Sequence, residues 1–397
     1  MYYHRSGEVP AKRHSQFRGP SGELYHEELQ GEEGFSGSQS WLYHRRIPTA
    51  ISAARALPDR DTATVRNAPL LPRHLRTQDL PGRGDPVSDR VVLAGNAQVT
   101  LAFAAATESS PLYRNAVGDE LVFVAAGLAV LESSFGSLAV HPGDYVVIPC
   151  STTHRWVVTD GPLRLLIVEA TGHVKIPGRY LSPTGQLLDG APYTERDVRL
   201  PEGLLDGGDG PADVVVTARE GRTLYTYDNH PFDVVGWDGC NYPWAMDIRE
   251  FQPRTGALHL PPPTYQQFEG PGFVVCSFVP RLFDYGHNAV KVPYNHANVD
   301  SDEVLFYWDG DFMSRAGSGI DEGSISLHPA GFIHGPQPGS AEKSLGAQRT
   351  EEYAVMVDTF QPLRLGTAAA EIEDDQYAWS WSRLDAAASN RAARAAT

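Results

Sequence analysis

Two stretches of this chain carry the same sparse pattern. Glu120 precedes Gly127 with six residues between them, and Gly143 precedes Pro149 with five between, His154 lying five beyond. Glu303, Gly310, Gly323, Pro329 and His334 repeat it, the first two displaced by 183 residues and the last three by 180. Five matched positions at nearly constant offset predict two copies of one β unit. A strand carrying a glutamate, a tight glycine turn, a second glycine turn and a proline corner presenting a histidine together describe a jelly-roll barrel. In such a barrel the carboxylate and the imidazole both point into the bore.

The rest of the chain agrees with short strands. Val91-Val-Leu, Leu121-Val-Phe-Val, Leu128-Ala-Val-Leu, Tyr145-Val-Val-Ile and Leu163-Arg-Leu-Leu-Ile-Val form a first set of β-rich runs. Gly272-Phe-Val-Val-Cys-Ser-Phe-Val, Val304-Leu-Phe-Tyr-Trp, Ser324-Ile-Ser-Leu and Tyr353-Ala-Val-Met-Val form a second. Glycine (38) and proline (30) supply the turns between them. The Gly/Asp/Pro-rich stretch after Glu202 reads as a connector. The expected division is therefore an N-terminal arm with a first barrel over 1–200, a second barrel over 210–375, and a weakly helical tail over 376–397. Residues 1–60 show little periodicity and are expected to wrap over the sheets. The two motif copies resemble the paired motifs of the cupin superfamily, which implies an all-β, double-stranded β-helix (jelly-roll) bicupin with two tandem cupin barrels.

Charge and composition remove several function classes. Forty-nine acidic against 33 basic side chains give a formal charge of −16, which disfavours binding through nucleic-acid phosphates or an anionic membrane surface. The longest apolar run, Leu121 to Leu131, is eleven residues, where a spanning helix needs roughly 20. The start of the chain has no apolar signal region. Three scattered cysteines, Cys150, Cys240 and Cys276, form no disulfide framework; a cytoplasmic protein is expected.

Only the second copy carries a full set of metal donors. His296 lies seven residues before Glu303, with Asn298 two residues after it. His296, Glu303 and His334 offer two imidazoles and one carboxylate, a set that leaves adjacent positions of an octahedral ion open and suits Fe(II) oxygen chemistry. Asp302 is a rival carboxylate. Adjacent strand residues face opposite ways, and Glu120 keeps the same gap to its glycine, so Glu303 is preferred. At the position of His296 the first copy has Tyr113, so that half is expected to be structural, with His154 an ordinary barrel histidine.

Longer segments resemble one family within the superfamily. His230-Pro-Phe-Asp-Val-Val-Gly-Trp-Asp-Gly-Cys-Asn-Tyr-Pro-Trp, Tyr294-Asn-His-Ala-Asn and His328-Pro-Ala-Gly-Phe-Ile-His-Gly-Pro are similar to segments of homogentisate 1,2-dioxygenases, from roughly residue 225 to 360. The resemblance implies Fe(II) held by His296, Glu303 and His334, and an acid/base role for His259. It also implies substrate contacts from Tyr294, Arg315 and His328. A small aromatic substrate and O2 follow from it, with ring opening of homogentisate to maleylacetoacetate in tyrosine catabolism and assembly as trimers or hexamers. Phe312 stands where better-known members have tyrosine, Leu258 where an acidic residue precedes the histidine, and Pro261 where aspartate is common. The loop from His296 to Glu303 is one residue longer. These departures leave open another hydroquinone such as gentisate or a secondary metabolite, a metal-dependent isomerase, and a non-enzymatic, ligand-binding bicupin.

Overall fold

In the computed structural model, which describes residues 1–382, β structure dominates. Of the weakly helical tail expected over 376–397, residues 383–397 lie outside the described residues. The apolar runs become strands because their side chains are buried from both faces, between curled sheets. The runs beginning at Leu121 and Leu128 are one strand, Glu120–Ser133, paired along its length with His154–Ala170. Gly127 is therefore a bulge inside a long strand and not a hairpin turn. Its φ is +83°, and an added Cβ would sit 2.8 Å from Leu163 Cα and Pro162 O, so only glycine lets the paired strand pass. Gly310, at φ +101°, ends the matching strand Asp302–Asp309 instead.

A 13-stranded sheet curls around the first copy and a six-stranded sheet around the second. The repeat is deeper than the five residues that reveal it. Glu120 pairs with Ile148 and Glu169, and Glu303 pairs with His328 and Asp358. Tyr113 pairs with His154 as His296 pairs with His334. Asp119 accepts the N–H groups of Cys150 and Val174, while Asp302 accepts those of Ala330 and Leu363. Asp302 is thus engaged with backbone and faces away from Glu303.

The strand pairing crosses the connector. Ala212–Ala218 runs parallel to Leu112–Asn115, Gly221–Tyr227 follows it in the same sheet, and Trp244–Asp247 pairs with Asp144–Ile148. Residues 212–247 therefore build onto the first half, where the sequence division had placed them in the second. The N-terminal segment is also structured. His4–Gly7, His26–Gly31 and Gln39–His44 form a four-stranded sheet with Val234–Gly239. Further on, Arg73–Arg76 adds an edge strand to Ser324–His328 in the second barrel. In return Arg364–Gly366 pairs with Val91–Gly95 in the first. Between the barrels, Phe123 packs edge-on to Phe306 and Trp308, and Tyr145 to Phe268. Each such ring withdrawn from water contributes about 1.5–3 kcal/mol. No helix of the described residues is long and apolar enough to cross a membrane.

Candidate metal centre

The strand Asp302–Asp309 carries Glu303 into the second barrel, and a two-way backbone bridge joins His296 to His334 beside it. Each backbone N–H of that pair bonds the other's carbonyl at 2.8 Å. One donor atom from each of His296, Glu303 and His334 lies within 4.8 Å of the others. His296 Nε2 is 3.7 Å from Glu303 Oε2, and His334 Nε2 is 3.3 Å from Oε1.

The proton positions follow from the partners. His296 Nδ1 faces the carbonyl of Tyr294 at 3.1 Å, and His334 Nδ1 faces that of Phe332 at 3.0 Å. A carbonyl only accepts, so both rings donate through Nδ1, which leaves each Nε2 a lone pair in its neutral form. His334 Nε2 is buried without a hydrogen-bond partner. Burial alone would push the Glu303 carboxyl up; with no ion bound, a proton on Nε2 of His296 or His334, together with the N–H of His328, outweighs burial and holds it well below the usual carboxylate range. Two lone pairs and a carboxylate facing one point fit a divalent cation of intermediate softness.

The first barrel shows the same frame without that fit. His154 Nδ1 faces the carbonyl of Thr152 at 3.0 Å, and its Nε2 has no hydrogen-bond partner. Opposite it stands the Tyr113 ring. The charge of the carboxylate is balanced by a permanent cation, Arg90, whose Nη1 lies 3.1 Å from Glu120 and 2.6 Å from Glu169. Arg60 pairs with Glu169 from the other side at 2.8 Å. A guanidinium thus takes the charge-balancing role that a metal would have here.

A cavity of about 120 Å³ opens onto His296 and Glu303. His259, Tyr307, Arg315 and Glu352 stand in its wall. His259 Nδ1 is 3.4 Å from Oδ2 of Asp284, a residue only 1% exposed. That carboxylate, 25 residues downstream, supplies the acidic neighbour that Leu258 does not. Tyr294 is exposed, its ring set edge-on between those of His259 and His296.

One expected substrate contact is placed differently. His328 is fully buried and stacked on His334, with ring centroids 4.1 Å apart. Its Nδ1 is 3.0 Å from Glu303 Oε1 and its Nε2 is 2.9 Å from the Tyr377 hydroxyl. Both nitrogens are used within the protein, so His328 supports the carboxylate and offers nothing to a substrate. Burial, opposed by the bond to Glu303, lowers its pKa to about 3, so the ring is neutral. Arg315, though also buried, stands in the cavity wall as expected of a substrate contact. It gives Nε–H to Tyr307 and Nη1–H to the Gly335 carbonyl. Three of its five N–H groups remain for an anion.

Sequence reasoning missed Asp284, Asp358 and Tyr377. Asp358 pairs in register with Glu303 and accepts from Asn298 at 3.3 Å. Burial, then the Glu303 charge, raises its carboxyl to about 7. A signal for it existed, since Glu169 and Asp358 both follow their strand glutamate in the repeat.

Residues 4–248 match the family model described as homogentisate 1,2-dioxygenase N-terminal. A Saccharolobus solfataricus protein named "Putative dioxygenase" is 39% identical over 385 residues, 96% of this chain and 99% of that one. Homogentisate 1,2-dioxygenase of Emericella nidulans is 27% identical over 84% of this chain and 80% of its own. That of Rhodopseudomonas palustris is 25% identical over 96% and 90%. Among solved structures, a cupin 2 conserved barrel domain protein from Leptotrichia buccalis aligns over 78% of this chain and 97% of its own. Its identity is 9% and its TM-score 0.31.

Proposed function

Because this chain belongs to the homogentisate 1,2-dioxygenase family, we propose that it is an Fe(II)-dependent dioxygenase opening the ring of homogentisate to maleylacetoacetate. Both atoms of O2 end in the product. The observation that carries this reading is the meeting of His296 Nε2, His334 Nε2 and the Glu303 carboxylate beside a cavity that His296 and Glu303 line. A ferrous ion there would supply the redox chemistry that brings dioxygen and the aromatic ring together.

The chain's own groups account for the rest. The hydroquinone enters with its acidic substituent toward Arg315, whose free N–H groups suit a carboxylate. His259 faces the cavity with Nδ1 held by Asp284, which leaves Nε2 to take the proton of a ring hydroxyl. Apolar wall residues such as Leu305 and Met356 limit water at the reacting ring. Tyr294, exposed beside His259 and His296, is positioned to cover the bound ring.

A second reading keeps the iron chemistry and changes the aromatic acid. Phe312 is buried against Tyr307 with ring centroids 5.1 Å apart, so the position that carries a phenol in better-known relatives offers none here. Gentisate or another substituted hydroquinone is the natural rival. Oxygen uptake by the ferrous-loaded protein, measured across a panel of hydroquinones, distinguishes the two. Uptake with homogentisate and a product heavier by two oxygen atoms supports the first reading. Uptake only with gentisate or another hydroquinone supports the second, and no uptake with any of them removes both.

A further inference from the structure

Tyr377 belongs to the segment that the sequence assigns to a tail, yet it is completely buried behind the metal centre. It sits on the 3₁₀ turn Tyr377–Trp379. The segment is fastened to the loop that carries His334. Trp381 gives its indole N–H to the Gly335 carbonyl at 3.1 Å, and Gln337 gives an amide N–H to Ser380 at 2.8 Å. Tyr377 also packs edge-on against Trp381 and His74.

The hydrogen-bond chain has one consistent direction. Glu303 is a carboxylate and only accepts, so His328 must donate Nδ1–H to Oε1. A neutral ring carries one proton, so Nε2 is then a lone pair and must accept the Tyr377 O–H. Without that donor the imidazole is free to carry its proton on Nε2. It would then turn a lone pair toward Glu303 at 3.0 Å.

We propose that Tyr377 is a positioning residue for the metal centre: by donating to His328 Nε2 it locks the imidazole form that donates to Glu303, and so keeps that carboxylate turned toward His296 and His334. The proposal rests on the three-residue metal reading and extends it to the C-terminal segment. Carboxylates and hydroxyls that orient a metal-bound group from behind typically alter metal affinity by about 10–100-fold, and a group one bond further back is expected near the lower end.

The test is ferrous affinity, measured without air by competition with a chromophoric chelator. Tyr377→Phe keeps the ring and removes only the hydroxyl, and is expected to weaken binding about 10-fold. In a His328→Asn background, where the amide donates to Glu303 without needing Tyr377, the same change is expected to add little. Equal affinity for wild type and Tyr377→Phe overturns the proposal, as does an undiminished effect in the His328→Asn background. No ferrous binding by wild type overturns the metal reading together with it. The nitrogen-15 NMR signals of His328 in the metal-free wild type provide a check that needs no variant. They should show the proton on Nδ1, and a proton on Nε2 refutes the lock.

Discussion

At the scale of single residues, the difference between the halves comes down to what faces one carboxylate. Glu303 is faced by the imidazoles of His296 and His334, whereas Glu120 meets the guanidinium of Arg90, which itself lies over the Tyr113 ring. His296→Ala should therefore abolish retention of ferrous ion, while Tyr113→Phe should leave metal content per chain unchanged; metal analysis after desalting reads both. Equal loss in both would mean the halves are assigned the wrong way round. The acid/base assignment has its own test. Asp284→Asn keeps shape but removes the charge that orients His259, so turnover should fall about 10-fold with ferrous content intact. An unchanged rate would remove His259 from proton transfer.

At the scale of elements, the segment His230 to Trp244, one of those that resemble the family, supplies none of the three candidate metal donors. Its strand Val234–Gly239 clasps the N-terminal sheet, and Asp233 meets the buried His44 at 2.6 Å, with Glu28 on the ring's other nitrogen at 2.9 Å. Burial lowers the His44 pKa, but the two carboxylates outweigh it and raise it from 6.5 to about 9. A folded-state value above the unfolded one gives stabilisation that is full below about pH 6.5 and is lost as pH rises toward 9. Denaturation midpoints should fall over that window by the equivalent of about 2–3 kcal/mol, and the slope should flatten in His44→Asn. A wild type with no slope would show that the clasp is not ionic. These elements explain what the sequence did and did not reveal. The barrel strands were legible because runs such as Tyr145–Ile148 are apolar and short. The candidate metal donors Glu303 and His334 were legible because the repeat fixes their register. His26–Gly31 has every residue half-buried and no alternation, and the sheet it joins is completed by Val234–Gly239, about 200 residues away, so no local pattern announces it. Asp284 and Tyr377 matter only through contacts across 25 and 49 residues.

At the scale of the whole molecule, the two barrels are interlocked rather than strung together. Each receives a strand from the far part of the chain, Arg73–Arg76 in one direction and Arg364–Gly366 in the other. The first barrel contributes rigidity through its buried Arg90–Glu120–Glu169 cluster. Removing one partner of such a cluster leaves charges buried without compensation, at about 3–5 kcal/mol. Arg90→Met should lower the stability of the whole molecule by that amount in chemical denaturation, while the folded fraction keeps its ferrous content. Unchanged stability would show that the internal cation is dispensable.

The account stands most directly on anaerobic ferrous titration of the metal-free protein, with bound ion counted per chain. It predicts one ion per chain in the wild type and none in Glu303→Ala. Retention of no ion by the wild type, or of the same ion by the variant, would contradict it.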